Sequence, residues 1–367
     1  MNTTVDSPLP SRRRWLGEAR VPGDDNALLL RHLASLMVIW GHGYALAAPG
    51  HGGSDPVAGW LPGFTTATLA VYFFFALSGY LLTMSLIQRP GLAGYLRNRA
   101  VRILPAYWVQ LALCVLVLGP AFTTLPVADY FRHPGLAAYV EGNWFPLSFV
   151  WELPGVFGEA PYPAVVNGSL WSLGLEMRWY GYLGLLMVLT ARKRWPFTAL
   201  ALAFLGVACW EWLEGKADPL HYRALSCTFV LASLAAFWRH RVPLSHGLML
   251  GLVLATLACR GLPTFGPVAT ATAIYATWWF IYALPVLRWP VRGDYSYGLF
   301  LYGFPAQQAV VALVPGIAPA QLFPVASLLA SGLAVLSWHL VERPALRWKQ
   351  GGPSWVSRHE QRTPDCG

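Results

Sequence analysis

The sequence contains little charge. Only 12% of its 367 residues are Asp, Glu, Lys or Arg, whereas 56% are apolar and 14% are aromatic. A soluble domain usually carries about twice this share of charged residues. Surroundings of hydrocarbon explain the shortage of charge better than water does. The composition therefore argues against an ordinary soluble domain and predicts an integral membrane protein.

Paired cysteines are also lacking, and no cleavable leader is expected. None of the five cysteines forms a CxxC pair, so neither a disulfide framework nor a metal site is expected. Arg12, Arg13 and Arg14 are not followed within a few residues by the apolar core of a signal peptide. No soluble stretch is long enough to fold separately, and we expect a single membrane domain.

Ten apolar stretches approach the length of about 20 residues that a membrane-crossing helix needs. They lie at 27–48, 64–88, 103–122, 168–190, 195–213, 221–238, 245–260, 266–287, 294–314 and 321–341. The sequence thus predicts an all-α, polytopic transmembrane bundle of about ten spans. Its expected divisions are an N-terminal tail at 1–26, a membrane domain at 27–344 and a C-terminal tail at 345–367.

Basic residues alternate between the two sides of the predicted spans. Clusters precede the first span and follow every even-numbered span, whereas the odd-numbered gaps hold scattered cations such as Arg132, Lys216 and Arg260. Because cytoplasmic loops carry an excess of Lys and Arg, this pattern places both termini in the cytoplasm. It also explains the net charge of +9 without nucleic acid as a partner, and it leaves membrane lipids as the expected surroundings.

Arg31 and His42 lie eleven residues apart in the first span. Eleven residues of α-helix make three turns plus about 20°, so both side chains share a face about 16 Å apart. An ionisable residue inside a membrane costs roughly 2.5–3.5 kcal/mol and usually faces a polar cavity. His42 is therefore a candidate functional residue. The alternative, a histidine held structurally by a neighbouring carbonyl, stays open at this stage.

Three further groups stand near or inside spans. Arg99 and Arg102 would share a helix face, and guanidinium groups suit phosphates, although alone the cluster is better explained as a topology signal. Glu176 needs a partner or a wet cavity, and coupling to His42 or a purely structural ion pair would each supply one. For Ser78 and Gly79, close helix packing is favoured over a nucleophilic serine.

Together these segments resemble acyltransferase family 3, membrane proteins that O-acylate glycans and other hydroxyl acceptors. The matching segments, in chain order, are Arg31 with His42, Phe74–Leu82, Arg99 and Arg102 with Pro105 and Tyr107, Leu170–Glu176, Ser296–Pro305 and Glu342–Pro344. The likeness covers about residues 26 to 344. The chain departs from the family pattern at Met177-Arg178 and at Gly303, and we expect no soluble catalytic domain after the last span.

The resemblance implies acyl transfer from acyl-CoA, used as a co-substrate rather than a permanently bound cofactor, to a glycan or small hydroxyl acceptor. Acetyl is the expected acyl group and the bacterial inner membrane the expected location. Arg99 and Arg102 would bind the donor phosphates and Arg31 would steady the donor. His42 would be the general base, with Glu176 orienting His42 or holding the acceptor. The alternative function is a transporter of a lipid-linked or small polar substrate, with the same residues lining the path.

Overall fold

The computed structural model of the chain is helical. It describes residues 15–18, 25–47, 55–218, 221–287, 289–291 and 293–350. Within these ranges the only extended pairings are isolated bridges, and no strand forms. The all-α prediction is confirmed. Most of both predicted tails, 1–14, 19–24 and 351–367, lies outside the described residues.

Ten helices of 13 residues or more form the body of the molecule. In the described chain they are α1 (Ala27–Ala47), α2 (Thr66–Gln88), α3 (Leu92–Leu113), α4 (Leu170–Leu189), α5 (Arg194–Leu213), α6 (Tyr222–Phe237), α7 (His246–Ala258), α8 (Phe265–Trp278), α9 (Ser296–Leu313) and α10 (Pro319–Ser337). Three end in π-helical turns, at Cys114–Leu118, Trp279–Ala283 and Trp338–Glu342.

Each predicted span overlaps one of these helices, but they differ in how well they suit a membrane. Four continuous helical stretches in the described chain are long and apolar enough to cross one: Thr66–Gln88, Leu92–Phe122, Arg194–Leu213 and Pro319–Trp348. The others are shorter or carry ionisable residues, as α1 does with Arg31 and His42. The chain therefore has the helices of a membrane protein, whereas the count of ten spans and the cytoplasmic termini stay predictions.

Two predicted boundaries are wrong. The third span, expected at 103, begins at Leu92, because the arginines that precede it are helical and charge does not break a helix. The last helix, expected to end at the Glu342–Pro344 stop, continues through a π-turn into Arg343–Gln350. Pro344 is tolerated there because it occupies the second residue of the new helical segment, where its missing N–H matters little.

Helix α2 occupies the centre of the bundle, packed against α1, α4, α6 and α8. Gly79 makes one of the closest of these approaches, because a Cβ there would lie 2.4 Å from the Phe229 carbonyl oxygen of α6. Helix α1 in turn packs against α9 and α10. The predicted packing role of Gly79 is therefore visible in the structure, and α1 and α2 run side by side through the core.

The long segment between α3 and α4 folds back along both helices instead of standing away from them. It contains the short helices Val127–Arg132 and Pro134–Gly142, and then irregular backbone. The Asn143 and Trp144 carbonyls accept hydrogen bonds from Tyr107 and Trp108, and the Leu147 carbonyl accepts one from Arg178. Side chains of α3 and α4 thus satisfy the irregular backbone, as surroundings of low polarity require.

Candidate active site

A cavity of about 250 Å³ brings four of the five predicted site residues together. Arg31 of α1, Arg99 and Arg102 of α3 and Glu176 of α4 all line it. These residues come from three helices and are up to 145 positions apart in the chain, from Arg31 to Glu176. The side chain of His42, the fifth residue, does not line this cavity.

The walls of the cavity are mainly apolar and follow the axis of α2. Lining residues of α2 run from Val71 to Leu82, eleven positions that span about 16 Å of helix. Phe300 of α9 lines the Val71 end, where it packs against the cluster that contains Ala70. Leu346, beyond the π-turn, lines the cavity as well. The cavity is thus an elongated, largely apolar passage with its arginines near one end.

Carboxylates hold two of the three arginines. Arg102 donates to Asp294 at 2.7 Å and to Glu342 at 3.0 Å, and its side chain is only 14% exposed. Arg31 contacts the same Asp294 oxygen at 3.0 Å. Ser296 and Ser337 donate to the two carboxylates in turn. The family resemblance implied that Arg102 binds donor phosphates, and no sequence pattern indicated either carboxylate partner.

Arg99 differs from the other two arginines. No carboxylate in the described part of the chain pairs with it, and its buried Nε has no hydrogen-bond partner. The Nε of Arg31 and the Oδ1 of Asn98 are buried without partners too, and all three residues line the cavity. Buried polar groups are rarely left unpaired, so these atoms favour a polar or anionic ligand at this end.

Glu176 lies in the middle of the cavity wall with two hydroxyl donors. Its Oε1 accepts hydrogen bonds from Ser78 at 2.5 Å and from Tyr180 at 2.6 Å. Ser78 therefore faces the cavity, while its neighbour Gly79 makes the close contact with α6. The packing explanation holds for Gly79 and not for Ser78. The Ser-Gly pair alone could not separate these roles.

His42 lies about one helical turn beyond the Val71 end of the cavity. Residue positions on α4 and on α9 both give this distance of about one turn. On α4, Ser172 lines the cavity and Ser169, three residues earlier, contacts His42. On α9, Phe300 lines the cavity and Phe304, four residues later, packs its ring against that of His42 at 5.3 Å.

The expected His42–Glu176 couple does not form. The Nδ1 atom of His42 lies 3.4 Å from the Ser169 hydroxyl, and Glu176 is occupied by Ser78 and Tyr180. Seven residues separate Ser169 from Glu176, which corresponds to about 10 Å along α4. Glu176 therefore cannot orient the imidazole directly, and Ser169 is the residue placed to do so.

The long segment before α4 covers the His42 side of the bundle. Gln308 of α9 donates to the Tyr162 and Val165 carbonyls at 2.9 and 2.7 Å. The Tyr162 ring packs against Phe304, which packs against His42. These contacts hold the segment over the His42 side of the bundle instead of leaving it as a free loop.

One departure from the family pattern has a local explanation. A Cβ at Gly303 would lie 2.7 Å from the Ile39 side chain of α1. The larger residue that is common in the family at this position would therefore clash in this chain. In this chain α1 and α9 are in close contact at the place where that larger side chain would stand. The contact residue Ile39 lies about one helical turn before His42.

The site therefore combines a cationic end, an apolar passage and an imidazole beyond the far end. Within the described residues, no group of His, Cys, Asp and Glu side chains is arranged to hold a metal ion. Such an arrangement suits a ligand with an anionic head and a long apolar arm. The reactive end of that ligand would point toward His42.

Comparisons with known proteins agree with this arrangement. An acyltransferase domain family matches residues 28–341. An O-acetyl transferase of Shigella phage Sf6 is 27% identical over 336 residues, covering 85% of this chain and 93% of that protein. Nodulation protein 10 of Rhizobium leguminosarum bv. viciae is 27% identical over 354 residues, covering 88% of this chain and 93% of that protein. No solved structure matches the chain significantly. The chain therefore belongs to acyltransferase family 3.

Proposed function

We propose that this acyltransferase moves an acyl group from acyl-CoA to a hydroxyl of a glycan or small acceptor, with His42 as the general base. The observation that supports it best is the single passage that leads from the arginines toward His42. The passage has the polarity of coenzyme A itself, whose phosphates form one end and whose thioester forms the other. The proposal rests on this match of shape and charge.

At the cationic end, Arg99 is the group best placed to bind the donor phosphates, because no carboxylate in the described chain neutralises it. Guanidinium groups bind phosphate through paired N–H donors. The partnerless Nε atoms of Arg31 and Arg99 add donors at the same end. The mobile arm of the donor would then extend along the α2 wall.

In the middle of the passage, Glu176 and Ser78 present polar atoms among apolar walls. The arm of coenzyme A carries two amide groups, which need hydrogen-bond partners once they leave water. We assign Glu176 to this contact with the donor arm. This role replaces the orientation of His42 that the sequence analysis considered.

At the far end, the acceptor oxygen attacks the thioester carbonyl while His42 Nε2 takes the hydroxyl proton. The C–S bond breaks, the coenzyme A thiolate leaves, and it gains a proton from the imidazolium. A neutral imidazole suits this work near neutral pH. Ser169, beside Nδ1, would fix the ring orientation.

Acetyl is the proposed acyl group, because a relative of this chain is named O-acetyl transferase. The acceptor would approach from the side that the long segment covers, where His42 lies. The donor would enter from the cytoplasm in a bacterial inner membrane. Transport remains the alternative, but family membership and the partnerless Nε atoms of Arg31 and Arg99 both favour transfer from an anionic donor.

The test is acyl transfer by membranes that contain the protein. Acetyl-CoA with a labelled acetyl group is supplied, and released CoA is measured together with labelled glycans and small molecules identified by mass spectrometry. We expect CoA release and one acetyl mass added to an acceptor, both lost in membranes without the protein. Movement of an unmodified substrate across the membrane without CoA release would contradict the proposal and favour the transporter.

A further inference from the structure

We propose that Asp294 and Glu342 limit the affinity of the cavity for coenzyme A by competing with its phosphates for Arg31 and Arg102. The inference rests on the proposed donor. The two carboxylates act through Arg31 and Arg102, and they allow the spent coenzyme to leave.

The geometry shows strong competition for the arginines. Asp294 Oδ2 bridges Arg31 at 3.0 Å and Arg102 at 2.7 Å, and Glu342 takes the other terminal nitrogen of Arg102 at 3.0 Å. The Glu342 side chain is 1% exposed and Ser337 donates to its other oxygen. Both carboxylates are therefore fixed in place, and Arg102 has no terminal nitrogen without an acceptor.

The pairing of arginines with carboxylates limits how tightly the cavity can bind phosphate. Two of the three arginines that line the cavity are paired with Asp294 or Glu342. A cavity with three free arginines would bind a polyphosphate tightly. Here only Arg99 lacks a carboxylate partner in the described chain.

Limited affinity matters because acyl-CoA and CoA carry the same phosphates. Contacts to those phosphates stabilise donor, transition state and product alike, so they lower KM without raising kcat. When they are too strong, product release becomes the slow step. Carboxylates that share the arginines weaken this uniform binding and leave Arg99 to retain the donor.

The experiment compares purified wild-type protein with Asp294→Asn, which keeps the acceptor atom for Ser296 and removes one negative charge. Binding of CoA is measured by calorimetry at low and at high salt, beside steady-state kinetics with acetyl-CoA. We expect about three- to tenfold tighter CoA binding in low salt. KM and kcat should fall together, and the difference should shrink as salt screens the charges.

Glu342→Gln is a second variant with the same expected direction, because it removes the negative charge that pairs with the other terminal nitrogen of Arg102. Glu211→Gln is the matched control. It removes the same charge from a pair with Lys216 and Arg223, whose residues do not line this cavity, and CoA affinity should not change.

Folded variants that bind CoA no more tightly than wild type would overturn the inference. So would failure of both carboxylate variants to fold, because the carboxylates would then be purely structural. Wild-type protein that binds no CoA at all would instead contradict the proposed donor. The two failures are therefore distinguishable.

Discussion

The side chains of the site differ most in whether they already have ion-pair or hydrogen-bond partners. Arg102 has two carboxylates, Glu176 has two hydroxyl donors, and Arg99 has no carboxylate in the described chain. His42 lies beside a serine at the long limit of a hydrogen bond. The residues with the fewest partners are those that the proposed reaction needs free, one for the donor phosphates and one for the acceptor proton.

The first prediction concerns His42. A general base usually contributes about 10²–10⁴-fold to the rate. We expect both His42→Ala and His42→Gln to lose at least that much activity, because an amide can form hydrogen bonds but cannot take the proton. The measurement is CoA release in the presence of acceptor, by membranes with equal amounts of each variant.

Near-normal CoA release by the His42→Gln variant would show that His42 only packs against Phe304. Ser169→Ala is the companion variant. If Ser169 orients the ring, its loss should lower kcat more than it changes KM for the donor, with thermal stability unchanged.

The second prediction separates Arg99 from Arg102. Arg99→Ala should raise KM for acetyl-CoA and leave the melting temperature near that of wild type, because no ion pair in the described chain is lost. Arg102→Ala leaves the buried Glu342 carboxylate unpaired, and breaking such a pair typically costs about 3–5 kcal/mol. Thermal unfolding in detergent, measured beside donor kinetics, checks both.

Equal stability of the two arginine variants would contradict the assignment. From the sequence, Arg99 and Arg102 are equivalent candidates, because their spacing on one helix is all that it shows. The partner Asp294 lies 192 residues from Arg102, and no local pattern reports a contact at that distance. Candidate residues could therefore be found from the sequence, whereas their partners could not.

Helices were predicted better than their ends. Apolar runs locate the helices, because burial in hydrocarbon requires about 20 such residues. The same criterion misplaced two boundaries, at Leu92 and beyond Glu342, where charged residues continue the helix past the apolar run. Those two charged extensions carry Arg99, Arg102 and Glu342. The helical extensions that lie outside the predicted spans thus form part of the cationic end.

The third prediction tests the contact between α2 and α6. Gly79→Ala should destabilise the protein, because its Cβ would meet the Phe229 carbonyl oxygen at 2.4 Å and a backbone atom cannot rotate away. Overpacking of this kind costs about 1–3 kcal/mol. Gly206→Ala in α5 is the control, since nothing lies within 4 Å of its added Cβ.

Thermal unfolding of the two glycine variants is the measurement. Gly206→Ala should match or exceed wild type, because alanine favours a helix more than glycine does. A Gly79→Ala protein as stable as the control would show that α2 and α6 pack less closely than the contact indicates.

The orientation of the site within the whole molecule can be given from the direction of two helices. Helices α2 and α4 both run from the His42 end of the site toward the arginine end, as shown by Val71 to Leu82 on one and by Ser169 to Glu176 on the other. Beyond α4 the chain continues into the basic residues 192–194. The side on which Lys193 lies is therefore the side of the cationic end.

The fourth prediction follows from this direction. Reporter fusions at Lys193 and Arg241 should be cytoplasmic, and those at Lys216 and Arg260 external, because basic loops are retained in the cytoplasm. That result would open the cationic end to cytoplasmic acyl-CoA and place His42 toward the outer half of the membrane. The opposite result at both pairs would leave the cavity intact but turn its arginines away from the acyl-CoA pool. In that case the donor proposal, and not only the topology, would be wrong.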